Sequence, residues 1–217
     1  MRSPSLRAIR AELVSALAAP HCLCCRRPLA RAPAGPALCG SCRSEVERSP
    51  GFPLRADALD GGFAPLAYEG AGRALVGALK FSRLPAVAAL GAALIAERAP
   101  AGWLDAAVVP VPASPLRARR RGFDPAWEIA TALAADIGAP ASPVLRRRDR
   151  RRQRGGSRRR RLAAPPVVEV TGPPPRCALL VDDVVTTGAT LDACARALRL
   201  AGSDAVRAVA IAAVPPR

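Results

Sequence analysis

Aromatic residues are scarce in this chain of 217 residues, where Trp, Tyr and Phe together make up 3%. Because half of the residues are apolar by the broad count, Ala, Leu and Val must build most of the core. No apolar run reaches the roughly 18 residues that a membrane-spanning helix needs. Charged side chains interrupt the first segment, so we expect an amphipathic helix over residues 1–19 rather than a secretory signal. The cytoplasm is therefore the expected location.

Lysine is almost absent as well, since Lys80 is the one lysine among 33 basic residues. Abundant Arg, Ala and Pro are typical of a GC-rich coding bias, so the formal charge of +16 says little by itself. Its distribution says more. Residues 146–161 contain eleven arginines and one aspartate, a net +10, which leaves +6 for the rest of the chain. The positive charge is concentrated in this one segment.

Five of the seven cysteines lie before residue 50, and four of them form two Cys-x-x-Cys pairs. The four are Cys22, Cys25, Cys39 and Cys42. Two such pairs are typical of a structural zinc ribbon, in which four thiolates surround Zn²⁺ and leave no open position for catalysis. His21 or Cys24 could replace a neighbour as ligand, and disulfides are the alternative that a reducing compartment disfavours. We predict a zinc-ribbon module over residues 20–50.

Beyond this module, short apolar runs alternate with helical patterns, which predicts an α/β domain over residues 60–217. Helical spacing predicts helices over residues 72–81, 86–98, 125–138 and 190–201. Asp124 is placed to cap the third of these helices, and Pro125 suits its first position. The runs "AAVVPVP", "CALLV" and "AVRAVAIAAV" predict buried strands. We expect a mostly parallel sheet flanked by helices.

The stretch "ALLVDDVVTTGAT", residues 178–190, places two acids between a strand and a Thr/Gly loop. The strand brings Asp182 and Asp183 to the carboxyl end of the sheet, where open α/β sheets bind ligands. The loop opens a helix, so its free N–H groups suit a phosphate; it comprises Thr186, Thr187, Gly188, Ala189 and Thr190. A ribose 5-phosphate satisfies both demands, with its hydroxyls on the acids. The alternatives are a structural turn with exposed acids or another phosphate site.

This stretch resembles the phosphoribosyl-pyrophosphate motif of type I phosphoribosyltransferases. The order of motifs along residues 20–214 resembles the ComF family, in which a four-cysteine module precedes a phosphoribosyltransferase-like domain. The segments that carry the resemblance are "YEGAGRALVGALKF", "VVPVPASPLRARRRGFD" and "LRRRDRRRQRGGSRRRR". The resemblance implies a type I phosphoribosyltransferase-like fold and, if phosphoribosyl pyrophosphate binds, Mg²⁺ as a cofactor beside the structural Zn²⁺.

The remaining candidate residues follow from these segments. The loop that leaves the strand at Pro112 is a candidate pyrophosphate or anion site, to which Lys80, Ala113, Ser114 and Arg121 could contribute. An ordinary solvated position is the alternative for Lys80. In the Arg-rich segment, the family pattern maps to Leu145, Arg147, Gln153 and Arg161. That segment, taken as a loop over residues 146–166, could be a lid, a nucleic-acid contact or a disordered surface.

Two functions are compatible with these residues. The first is an enzyme that transfers a phosphoribosyl group to a base or amine. The second, implied by the family's association with competence, is a protein of DNA uptake that reuses the pocket for a nucleotide. Its partners would be single-stranded DNA and DNA-uptake proteins. Family members usually carry Asn-Gln where this chain has Asp124 and Pro125, and an Asn where it has Ala164, and these departures favour the second function.

Overall fold

The structure is a computed structural model that describes residues 20–30, 36–82, 84–114, 122–148 and 166–215. The predicted helix at 1–19 lies outside them. The elements are α1 (Gly40–Arg48), β1 (Phe52–Pro53), β2 (Gly61–Ala64), β3 (Leu66–Ala67), α2 (Gly70–Ser82), α3 (Pro85–Arg98), β4 (Ala107–Pro110), α4 (Pro125–Ile137), β5 (Leu145–Arg148), β6 (Val167–Val170), β7 (Cys177–Val185), α5 (Ala189–Leu200) and β8 (Ala205–Ala213). Among the helices so described, none has the length and apolar character to cross a membrane.

The central sheet has the strand order β1-β2-β8-β7-β4, and β3 continues along the same edge of β8 as β2. Strands β2, β3 and β7 pair with β8 in the parallel sense, and β4 pairs with β7 in the same sense, whereas β1 pairs with β2 in the antiparallel sense. The predicted α/β fold with a mostly parallel sheet is therefore confirmed. The two central strands, β7 and β8, have nine residues each and are largely buried, which explains their continuous apolar sequences.

Helices cover both faces of this sheet. Apolar residues of α2, α3 and α4 form one cluster with alternate residues of β7 and β8, and α5 forms a second cluster on the opposite face. The helices lie where their spacing predicts them. Asp124 caps α4 by accepting a hydrogen bond from the Ala126 N–H at 3.1 Å, and Gly138 ends it with a φ of 66°.

The cysteine-containing module is attached to the sheet domain through α1. The Glu45 carboxylate accepts a hydrogen bond from the Ala71 N–H at 2.7 Å, at the first turn of α2. Arg98, at the end of α3, donates to the carbonyls of Val46 (3.0 Å) and Ser49 (3.3 Å) at the other end of α1. Buried cysteines of the module belong to the same apolar cluster as α2. Module and domain thus share one core.

The Arg-rich segment begins in a strand. Arg146–Arg148 belong to β5, which pairs with β6 as an antiparallel hairpin. Leu145 is buried against the cluster under α5, and this contact holds the first arginines in the hairpin rather than in the predicted loop. Residues 149–165, which connect the two strands, lie outside the described residues. The first three arginines of the segment are therefore held in a hairpin.

Candidate functional site

The acid pair lies within β7, which extends beyond it to Val185. The sequence predicted a strand that ends before Asp182. Because both acids lie within the strand instead, they are held more rigidly than residues of a loop would be. Because successive side chains of a strand point to opposite faces, the two carboxylates leave β7 in different directions. Asp183 is 7% exposed, and Asp182 is half-buried opposite Ala210 of β8. Both lie near the carboxyl end of the parallel sheet.

Lys80 forms an ion pair with Asp183. Its Nζ lies 3.0 Å from Oδ2 of Asp183, and the side chains are only 16% and 10% exposed. The lysine comes from the last turns of α2, and the aspartate from β7, so the pair joins a helix to the sheet. Lys80 is thus neither a solvated helix residue nor free to neutralise a phosphate alone. Its charge compensates a buried carboxylate.

The pKa of Asp182 lies well above its ordinary value. Burial, and then the charge of Asp183, raise the pKa of Asp182 to about 8. The Asp183 N–H donates to Oδ1 of Asp182 at 2.8 Å, and the charge of Lys80 also opposes this rise in pKa. Asp182 therefore retains its proton to a higher pH than an ordinary aspartate does. A protonated carboxyl can donate a hydrogen bond as well as accept one.

A third carboxylate, that of Asp124, faces the same region. Its two oxygens accept hydrogen bonds from the N–H groups of Ala126 (3.1 Å) and Ala113 (3.4 Å). Asp124 thus fixes the loop that follows β4 to the start of α4. Burial raises its pKa, and the nearby charge of Asp183 contributes to the rise. The sequence predicted the helix cap, but it did not reveal the contact with Ala113.

The Thr/Gly loop connects β7 to α5. Gly188 has a φ of 74°, and a Cβ at this position would lie 2.6 Å from the carbonyl oxygen of Arg55. Glycine is required here both by the backbone conformation and by this close approach. Gly188 provides no side-chain cap for α5, and the Ala189 N–H reaches only the hydroxyl of Thr187, at 3.5 Å. The first N–H groups of α5 therefore resemble those that bind anions in other helices.

A cavity of about 560 Å³ adjoins this loop. Thr187, Gly188 and Ala189 line one side, and residues 54–57 line the other. The Ala58 N–H donates to Asp192 Oδ1 at 3.0 Å, and Arg199 Nε donates to the Ala58 carbonyl at 2.9 Å, which fixes this segment on α5. Arg55 and its neighbours were not among the residues that the sequence predicted at this site. No local signal identifies them, because these contacts join residues more than 130 positions apart.

Two of the residues predicted for the pyrophosphate or anion site lie in one cavity. Pro112 and Ala113 line a second cavity, of about 310 Å³, together with Arg147 of the hairpin. Ser114 is half-buried where the described loop ends. Arg121, Gln153 and Arg161 lie outside the described residues, so their predicted roles stay predictions.

The four predicted metal ligands do come together. The Sγ atoms of Cys22, Cys25, Cys39 and Cys42 all lie within 4.8 Å of one another. Four thiolates at 2.3 Å from a tetrahedral Zn²⁺ are roughly 3.8 Å apart, and Cys25 and Cys39 are separated by 3.7 Å. That separation is far too long for a disulfide. The cluster has the geometry of a metal site with four protein ligands.

Neither of the alternative ligands belongs to this cluster. His21 is exposed, and no nitrogen of its ring is grouped with the four sulfur atoms. Cys24 is buried in the apolar core beside the cluster, and burial raises the pKa of its thiol to about 12. Its sulfur atom is not among the four that lie within 4.8 Å of one another. The cluster is therefore formed by the four cysteines of the two Cys-x-x-Cys pairs, without His21 or Cys24.

Comparisons with protein-family models and with curated proteins give no match for this chain.

We expect the purified protein to contain one equivalent of zinc by elemental analysis. The variant Cys39→Ser/Cys42→Ser should lose the metal and melt at a lower temperature, because structural zinc contributes directly to folding. Cys177→Ser is a matched control, since Cys177 is an exposed thiol outside the cluster. A wild-type protein without zinc, or a double variant that retains it, would contradict the assignment.

Proposed function

We propose that the protein is a phosphoribosyltransferase-like protein of the ComF type that binds phosphoribosyl pyrophosphate or a nucleotide 5′-phosphate. The observation that carries the proposal is the ion pair between Lys80 and Asp183 at 3.0 Å. These residues belong to two different segments that resemble the family, and they lie more than 100 positions apart in the chain. Their meeting at the carboxyl end of the sheet supports a common ligand site.

The chemistry of this site suits a sugar phosphate. The N–H groups at the start of α5 would bind the 5′-phosphate, since unpaired amides and the helix dipole favour an anion there. The adjacent acids would bind the ribose hydroxyls. A carboxylate accepts hydrogen bonds from hydroxyl groups, and a carboxyl group that retains its proton, as the raised pKa of Asp182 favours, can also donate one. One sugar phosphate would thus use both the acids, through its hydroxyls, and the adjacent loop, through its phosphate.

The two metals enter the proposal differently. The four-cysteine cluster fits a structural Zn²⁺, as its sulfur separations indicate. The carboxylates do not form a comparable site for Mg²⁺: within the described part of the chain, the only cluster of ligand atoms at metal-binding distance is that of the cysteines. Asp183 is also engaged by Lys80. Any Mg²⁺ would therefore be held by the pyrophosphate oxygens of the ligand.

We further propose that the ligand is presented by single-stranded DNA during DNA uptake. The hairpin β5–β6 carries Arg146 and Arg147 to a cavity beside the sheet's carboxyl end. Arginines without an aromatic residue between them, as in residues 146–161, favour contact with phosphates over recognition of sequence. This charge therefore supports a DNA-handling role.

Phosphoribosyl transfer is the second candidate function, and the burial of Asp182 beside Asp183, which raises the pKa of Asp182, favours it. With a pKa of about 8, Asp182 is poised to exchange a proton near neutral pH, as a general acid or base must. Release of pyrophosphate from phosphoribosyl pyrophosphate in the presence of bases would identify this activity.

Isothermal titration calorimetry tests the ligand proposal. The wild type should bind ribose 5-phosphate, and phosphoribosyl pyrophosphate with Mg²⁺, whereas Asp182→Asn/Asp183→Asn should bind both at least about tenfold more weakly because it loses both carboxyl groups that would bind the ribose hydroxyls. Asp105→Asn/Asp136→Asn removes two exposed acids elsewhere and controls for net charge. Absence of binding by the wild type would end the proposal, and equal loss in the control would contradict the role of the pair.

Fluorescence anisotropy with labelled single-stranded DNA tests the DNA-handling role. Affinity should fall as salt rises, with a slope of about −0.7 for each phosphate that the protein neutralises. Replacing the arginines of residues 150–161 by glutamine should flatten this dependence and weaken binding uniformly across sequences. Affinity that is insensitive to salt, or to these substitutions, is the result that would exclude the role.

A further inference from the structure

The cavity of about 310 Å³ beside the outer strand β4 has a lining that the ribose-phosphate site does not use. It lies between the loop that follows β4, the first turns of α4 and strand β5. Asp124, Trp127, Arg146 and Arg147 contribute its polar and aromatic groups, and three prolines form much of the remaining wall. Its volume is at the lower end of the range for small-molecule sites, roughly 300–1,000 Å³.

Trp127 provides a flat aromatic surface in this cavity. The side chain is 38% exposed although Trp is among the most strongly buried residue types on average. The second tryptophan, Trp103, is engaged elsewhere: it lies against Gly61, and Arg207 stacks over its ring at 5.8 Å. Trp127 is thus an accessible indole beside rigid proline rings. Such a surface suits a planar ring, since stacking on an aromatic side chain is favourable for every nucleobase.

The two arginines of the cavity differ from the next arginine of the strand in their ion pairs. Neither Arg146 nor Arg147 forms an ion pair with any carboxylate of the described chain, whereas the next residue, Arg148, pairs with Glu169 at 2.6 Å. A guanidinium can bind phosphate oxygens through two parallel hydrogen bonds or stack on a ring. The cavity therefore combines an aromatic platform with two arginines and one carboxylate, that of Asp124, whose oxygens accept hydrogen bonds from backbone N–H groups rather than from the arginines.

The cavity also adjoins the carboxylates of the sugar site. Asp124 lines the cavity, and it is close enough to Asp183 for that charge to act on it. A ligand in the cavity would therefore lie next to the acid pair. The three prolines and the indole distinguish this cavity from a pocket for pyrophosphate alone, which would need donors rather than apolar walls.

We propose that this cavity binds the heterocyclic base of a nucleotide, stacked on Trp127, with Arg146 and Arg147 on a neighbouring phosphate. The inference deepens the proposed function, since it names a nucleotide as the ligand and relies on that function for the ribose phosphate. Trp127 becomes a binding residue that neither the motifs nor the family resemblance indicated. This cavity should discriminate only weakly between different bases, because every base offers a similar face for stacking.

The test uses the intrinsic fluorescence of Trp127. Trp103→Phe leaves Trp127 as the only tryptophan and preserves an aromatic ring beside Gly61; circular dichroism checks that the variant is folded. Adenosine 5′-monophosphate should quench the remaining emission with a saturable dependence on concentration. Ribose 5-phosphate, which lacks the base, should bind without quenching. By calorimetry, Trp127→Leu should weaken binding of the nucleotide at least about fivefold, while its affinity for ribose 5-phosphate stays unchanged.

Each outcome decides one part of the proposal. If ribose 5-phosphate binds and the nucleotide does not quench Trp127, the base site is excluded while the proposed function stands. If the nucleotide quenches and ribose 5-phosphate does not bind, the base site stands and the sugar-phosphate site falls. Pyrophosphate that displaces the nucleotide from Arg146→Gln/Arg147→Gln as effectively as from the wild type would contradict the role of the arginines. A Trp127→Leu protein with wild-type affinity for the nucleotide would overturn the inference outright.

Discussion

A buried ion pair between one lysine and one aspartate holds the site of this protein together. Lys80 and Asp183 are both almost inaccessible to solvent, and removal of one partner from such a pair typically costs about 3–5 kcal/mol, because a buried charge is left uncompensated. The pair joins α2, on one face of the sheet, to the central strand β7. Two further carboxylates, Asp182 and Asp124, lie close enough for their charges to interact. Three acids thus lie near one cation, and burial together with the charge of Asp183 raises the pKa of Asp182.

The four-cysteine module is connected to this pair through α2. Glu45, from the helix that begins at the second cysteine pair, accepts the hydrogen bond from Ala71 in the first turn of α2. Gly70 has a φ of 42°, and a Cβ at this position would lie 1.7 Å from the Glu45 carboxylate, so the contact is close. Lys80 lies at the opposite end of the same helix, about 14 Å away at 1.5 Å per residue. The module therefore helps to set the position of the helix that delivers the lysine.

Local patterns in the sequence were sufficient for much of this architecture. Helices α2 to α5, the strands β4, β7 and β8 and the four cysteines were predicted because each depends on residues that are neighbours in the chain: an apolar period, a cap at Asp124, or a Cys-x-x-Cys turn. Helix α1 was not predicted. The extension of β7 through the acids was not predicted, because pairing with β8 carries the strand past two charged residues. The strand at Arg146–Arg148 was missed for a similar reason, since β6 and the buried Leu145 hold it. The positions of Arg55 and Trp127 beside the two cavities could not be predicted, because tertiary contacts alone bring them there. The ComF resemblance stays a prediction.

The protonation of Asp182 tests the central claim most directly, through its carboxyl ¹³C resonance followed against pH. The pKa of about 8 lies above the value near 3.9 of an unfolded chain, so the folded state binds the extra proton and loses stability as pH rises from about 4 to about 8. In Lys80→Met the pKa of Asp182 should rise further, because the charge of Lys80 lowers it. A resonance that titrates near pH 8 in the wild type and higher in the variant is the predicted result. Titration near pH 4 in both proteins would contradict the account of a desolvated carboxylate pair organised by one lysine.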